Sequence, residues 1–309
     1  MTADSRFIKQ PKSFWAHIRS ISEQVGYTVR GKGTIKVPTL NELLVALRKL
    51  DLNTGHVSRD EVTPTMLGTQ MMDYFRYRAD VLNHQVEASL MDSLEAERLF
   101  KSLCKKYNRK ASSLPMNKQK GKKKKNAFLT GMVNILIEAN SGGHDCDFDP
   151  RSLTTITHDG QPLRTLARRV DGAFPAVVNP IAIWEIKEYY HTTTFGSRVA
   201  DGVYETLLDG MELEELQEHE AKYVRHLLIV DSHFTWWKCG RSYLCRIIDM
   251  LHMGYVDEVL FGREVVERLP IIVKEWVAQL KRRNSHGGAE SVPGSGDEPK
   301  PEGAMGDAT

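Results

Sequence analysis

The stretch Ile181-Ala182-Ile183-Trp184-Glu185-Ile186-Lys187 restricts the fold more than any other part of the chain. Its apolar residues alternate as a half-buried strand requires, until the last positions turn ionic. Side chains on a strand return to the same face every second residue. Ile181, Ile183, Glu185 and Lys187 therefore share one face, and Ala182, Trp184 and Ile186 share the other. A carboxylate and an ammonium finish a buried-looking face side by side. Neither group is cheap to bury alone, so the pair needs water, a metal or a ligand, and Asp171 at the end of the preceding stretch is the third member.

The surrounding sequence predicts a strand-rich core. Phe128 to Ala139 reads as a buried helix carrying one acid, Glu138, near its end, and Asn140-Ser141-Gly142-Gly143 stops it. Leu153 to His158 and Leu163 to Val170 read as strands separated by the turn dipeptide Asp159-Gly160, with the Glu185 strand third. Arg198 to Gln217 reads as a helix with acidic outer positions. His226 to Asp231 is a continuous apolar run of the central-strand type. Another helix over Arg241 to Met253, a strand over Val256 to Phe261 and a helix over Ile271 to Leu280 follow.

Asp171, Glu185 and Lys187, taken with the order helix, three strands, helix, strand, resemble the PD-(D/E)XK nuclease superfamily over about residues 126–262. Val170 stands where the family name places proline. Two other E-x-K tripeptides, at Glu220 and Glu298, do not follow an alternating apolar strand. The resemblance implies an α/β fold with a restriction-endonuclease-like core, a mixed central sheet flanked by helices, and a mainly helical region before it. It implies Asp171 and Glu185 as ligands of Mg2+, with Mn2+ able to substitute, and Lys187 as the group that orients the attacking water and stabilises developing charge. Glu138 matches an acid that many members have on the helix before the first strand, as a further catalytic position. Tyr190 and Arg198, just beyond Lys187, are candidates for flanking phosphates.

Before the core, Phe14, Ile18, Ile21 and Val25 have the spacing of an amphipathic helix. Thr39 and Glu42 form a capping-box pair ahead of a second helix, and Thr63 to Tyr107 is mostly helical. This region, residues 1–115, is either a small DNA-recognition module or a helical scaffold. Residues 116–126 form a basic flexible loop in which Lys118, Lys120, Lys122, Lys123, Lys124 and Lys125 are candidate phosphate contacts. The nuclease-like domain spans 127–284, and the Gly-, Pro- and acid-rich residues 285–309 are expected to be a disordered tail.

The net charge of +2 conceals an uneven distribution: eleven basic residues and no acid from Lys101 to Asn126, and seven acids with no Lys or Arg from Glu205 to Glu220. The first run suits an anionic polymer, and the second is expected to face solvent or a partner subunit. Four cysteines without paired spacing suit reduced thiols. No signal-peptide core or apolar run of ~18 residues occurs, so a cytoplasmic protein with no membrane partner is expected. The resulting expectation is a Mg2+-dependent DNA endonuclease of the type II restriction or phage-defence kind. It would act on double-stranded DNA as a homodimer. The alternatives are a non-catalytic DNA-binding protein on the same fold, and a structure-directed repair, recombination or transposition nuclease.

Overall fold

A computed structural model describes residues 1–29, 31–109, 115–116, 125–191 and 196–287. Lys118, Lys120, Lys122, Lys123 and Lys124, the side chain of Arg198 and the expected tail from residue 288 onward lie outside the described residues.

The architecture is mixed α/β. A five-stranded sheet has the order β1 (Asp147–Phe148), β4 (Gly172–Phe174), β5 (Ala182–Glu188), β6 (Arg225–Asp231), β7 (Glu258–Phe261). β4 is antiparallel to both of its neighbours, β1 and β5, whereas β6 and β7 continue parallel to β5. Parallel neighbours need long crossovers, and α7 (Ser197–Glu220) and α8 (Arg241–His252) supply them. The two faces of β5 separate as its alternation demands. Ala182 and Trp184 pack among α5 (Ser93–Lys106), α6 (Phe128–Asn140) and α9 (Glu264–Gly287). Ile183 packs on the other side with Leu213 and Leu216 of α7. Ile181, just before the strand, departs from this alternation and joins the first cluster.

Two expectations need correction. The strand-like stretches before the Glu185 strand do not enter the central sheet. They form a separate hairpin, β2 (Thr155–His158) with β3 (Gln161–Thr165), and the strands beside β5 are the much shorter β1 and β4. The hairpin is half exposed, as polar alternation permits, while Gly172, Ala173 and Phe174 are buried. Asp171 consequently precedes a strand instead of ending one. The last helix begins seven residues earlier than Ile271 and runs through Pro270. Val265, Leu269, Ile272, Val273 and Trp276 form one buried stripe across the proline, so packing offsets the hydrogen bond it removes.

The N-terminal helices have a core of their own. α1 (Lys12–Val25), α2 (Leu40–Arg48) and α3 (Met66–Val81) bury Phe14, Ile18, Leu43, Leu47 and Phe75 together, and Thr39 and Glu42 form the expected capping box. α3 continues through a π-helical turn, Leu82–Val86, into α4 (Glu87–Ser89). Buried Arg78 donates to both oxygens of Asp249 on α8 at 2.9 Å, which ties this region to the sheet. α5, within the stretch expected to be N-terminal, packs with α6 in the core beneath the sheet. No helix among the described residues is long and apolar enough to cross a membrane.

Candidate functional site

Gly172 lies opposite Trp184 in the β4–β5 pair. A Cβ on Gly172 would sit 2.0 Å from the indole, so only glycine permits the two strands to pair here. Trp184 is held from behind by stacking on Trp276 at 5.8 Å between ring centroids. That register places Asp171 against Glu185. The backbone N–H of Asp171 donates to Glu185 Oε1 at 3.2 Å, and Asp171 Oδ2 accepts from the N–H of Ile186 at 2.9 Å. Lys187 returns to the Glu185 face two residues on, with Nζ 2.7 Å from Glu185 Oε2. The three residues singled out in the sequence are thus brought together, two of them almost wholly buried.

The site also contains residues that sequence reasoning did not single out. Arg168 lies with Nη1 3.0 Å from Glu185 Oε1, while Nη2 donates to Oε2 at 3.1 Å. The same guanidinium reaches Asp209 Oδ2 at 2.5 Å and Glu205 Oε2 at 3.5 Å. Lys187 Nζ is also 3.3 Å from Glu205 Oε2. α7 comes this close because Gly202 faces Lys187, where a Cβ would lie 3.2 Å from Lys187 Cδ. Trp236 Nε1 donates to the carbonyl oxygen of Lys187, fixing β5 at that point, and both Trp236 and Trp237 are core residues.

The acids of α7 are therefore not simply a solvent face. Beyond Asp209, Glu212 accepts the N–H of Ala167 at 3.1 Å and Glu215 pairs with Arg164 at 2.7 Å. Glu205, Asp209, Glu212 and Glu215 recur at helical spacing and clasp the segment from Arg164 to Arg168, which leads into Asp171. A signal for Asp209 was present in the sequence. It lies three residues after Thr206 and four before Leu213, on the face of α7 that both bury. Arg168 carried no comparable signal, because Arg169 beside it has the same chemistry and strand parity alone does not choose between them.

The cluster's electrostatics follow from this geometry. Burial pushes the Glu185 carboxyl up, but Lys187 and Arg168 outweigh it and leave its pKa lowered. Burial depresses the Lys187 ammonium, yet Glu185 and Asp171 hold its pKa up, so Lys187 is charged at neutral pH. Asp209 is buried next to the Glu185 charge, which raises its pKa to about 7 despite Arg168, and its Oδ1 has no hydrogen-bond partner. When all ionise, the carboxylates of Asp171, Glu185, Glu205 and Asp209 exceed Arg168 and Lys187 by two charges.

Among the described residues, no group of three or more His, Cys, Asp or Glu is arranged as a metal cage. The donors nevertheless suit a hard divalent ion: all are carboxylate oxygens, the charge excess equals that of one such ion, and Asp209 Oδ1 is unpartnered in a buried position. Both oxygens of Glu185 are taken by cationic donors, so an ion there replaces Arg168.

Other expected positions lie elsewhere. Glu138 is exposed, paired with Arg109 at 2.8 Å, on the helix layer against the opposite face of the sheet. Tyr190 gives its hydroxyl to buried Asp231. Lys125 is exposed.

A family model described as Domain of unknown function (DUF7687) matches residues 91–276, and one described as Domain of unknown function (DUF7690) matches residues 1–85. No curated protein and no solved structure matches the chain.

Proposed function

This chain belongs to the DUF7687 family, and we propose that it is a Mg2+-dependent DNA endonuclease with a PD-(D/E)XK-like core, of the restriction or phage-defence kind. The observation that carries the proposal is the constellation of Asp171, Glu185 and Lys187 across the β4–β5 pair. The topology supports it as well. α6 leads to an antiparallel set, β1, β4 and β5, and α7 then crosses to the parallel strand β6. That is the helix, three strands, helix, strand order of the resembled superfamily.

Asp171 and Glu185 would hold Mg2+, with Glu205 and Asp209 as further oxygen donors. When bound, the ion supplies charge neutralisation at the phosphate and a water acidic enough to attack near neutral pH. Lys187 retains its proton on Nζ, so it acts as a donor to the developing negative charge and does not serve as a general base. Arg168 fixes the plane of the Glu185 carboxylate through a forked contact and offsets part of the cluster's negative charge in its resting state. Double-stranded DNA is the proposed partner, and a twofold dimer would allow one site per chain to cut both strands.

A second reading, a non-catalytic DNA-binding protein on this fold, is favoured by one observation: Glu185 is satisfied on both oxygens by Arg168 and Lys187. Plasmid nicking with and without Mg2+ separates the two. Asp171→Ala, Glu185→Ala and Lys187→Ala are each expected to abolish cleavage while retaining most DNA affinity. Full cutting by Glu185→Ala moves the active site elsewhere.

A further inference from the structure

A groove of about 680 Å3 opens where β5 begins, bounded by β2, the turn between α7 and β6, and the end of α9. Its polar walls are Thr157, Asn179, Lys222, Tyr223, Gln279, Arg282 and Arg283, and no acid among the described residues lines it. Arg283 is the informative member. Its Nη1 donates to the carbonyl oxygen of Asn179 at 2.6 Å, and no carboxylate pairs with it among the described residues. Partial burial lowers its pKa with nothing opposing it. A guanidinium donating to a neutral carbonyl, with two more cations in a wall that holds no acid among the described residues, suits an anion.

We infer that this groove holds the phosphodiester backbone of the DNA proposed above as substrate, at a distance from the scissile phosphate. Ile181 lines the groove and Glu185 lies four residues further along β5. At about 3.3 Å per residue, the separation along the strand is about 13 Å. Duplex DNA advances about 3.4 Å per nucleotide along its axis, so the groove meets the backbone about four nucleotides from the cut. The groove opens at the sheet end where β5 starts, next to the turn that follows α7. The contacts are to phosphate, so they position DNA and do not read its sequence.

The inference rests on DNA being the substrate, and its test is read by binding, independently of cutting. Anisotropy of a labelled 20-base-pair duplex in EDTA, at several salt concentrations, compares wild type with Lys222→Gln and with the triple variant Lys222→Gln, Arg282→Gln, Arg283→Gln. Removing each phosphate-binding cation is expected to flatten the slope of log affinity against log salt by about 0.9, up to about 2.7 for the triple variant, for all DNA sequences alike. Lys222 is exposed, so its single variant reports even where the triple variant fails to fold. Unchanged slope and affinity in the single and triple variants overturn the inference. Equal competition by polyglutamate, sensitive to the same three cations, also overturns it in favour of an acidic protein partner. A chain that binds DNA through these residues but never cuts keeps the groove and ends the nuclease reading. A chain that cuts but ignores the three substitutions does the reverse.

Discussion

Arg168→Ala tests whether the guanidinium occupies the position that a metal takes. Arg168 contacts Glu185 at 3.0 and 3.1 Å and Asp209 at 2.5 Å. Without it Glu185 keeps Lys187 and the N–H of Asp171, but Asp209 is deprived of the only cation that its hydrogen bonds show. Removing one partner of a buried ion pair costs about 3–5 kcal/mol, and solvent reaching Arg168 from one side sets the expectation at the lower end, about 3 kcal/mol. A ligand that binds only the folded state at a hundred times its Kd restores about 2.7 kcal/mol. Urea unfolding at pH 8 should therefore show Arg168→Ala about 3 kcal/mol less stable than wild type in EDTA, with most of the difference recovered in saturating Mg2+. Calorimetry should show tighter Mg2+ binding by Arg168→Ala than by wild type, and none by a variant that also carries Glu185→Ala. Mg2+ that stabilises neither wild type nor Arg168→Ala refutes the reasoning, because a cluster with two surplus negative charges would then have no need of the ion.

Stability should also fall as pH rises toward neutral. Burial raises Glu188, Asp209 and Asp231 to about 7, above the ~4 of an unfolded chain, so the folded state binds these protons more tightly. Their stabilising effect is whole below about pH 4 and is lost progressively up to about pH 7, on the order of a few kcal/mol for each group. Glu185 and Asp4, both lowered, act in the opposite sense at acid pH. Urea unfolding free energies should be larger at pH 5 than at pH 8, with Glu188→Gln reducing the difference; a steady rise from pH 5 to pH 8 contradicts this. Gly172→Ala should destabilise by about 1–3 kcal/mol or more, since its Cβ would overlap the Trp184 indole, and a melting temperature equal to wild type rejects the packing argument. Asp249→Ala should cost about 3–5 kcal/mol by leaving Arg78 buried without its carboxylate, and a change under about 1 kcal/mol in urea denaturation shows that the pair does not anchor the N-terminal helices.

The legible parts of the fold were those where one local pattern decides the outcome. Thr39 and Glu42 mark the start of α2 because a capping box is a contact between near neighbours. Trp184, Glu185 and Lys187 divide between the two faces of β5 because strand parity is strict. β1 and β4 escaped notice for the converse reason. They are two and three residues long, too short for any alternation, and are strands only because β5 offers them hydrogen bonds. The hairpin of β2 and β3 had the clearer strand sequence and yet remains outside the central sheet, since strand propensity does not specify a partner. Residues 86–90 joined two cores without any glycine or proline to mark the passage, because the chain continues there as π-helix and α-helix from α3.

The acidic run of α7 shows most directly how charge in a sequence can mislead about charge in space. Taken alone, Glu205 to Glu220 should repel phosphate, and its outer surface does present Glu218 and Glu220 to solvent. Folding, however, directs the stripe of Glu205, Asp209, Glu212 and Glu215 onto Arg164, the N–H of Ala167 and Arg168. Those contacts hold the segment that delivers Asp171 to Glu185, so the helix least suited to touch DNA is the one that shapes the proposed catalytic face. Under the proposed function, DNA reaching that face would have to pass beside α7 and not across it. The groove at the start of β5, where no acid among the described residues lines the wall, lies about 13 Å from Glu185 by strand rise and supplies the positive charge that α7 lacks. The two proposals make each other intelligible: if the carboxylates gathered by this acidic helix are where DNA is cut, cations some nucleotides away would be needed to hold the polymer against it.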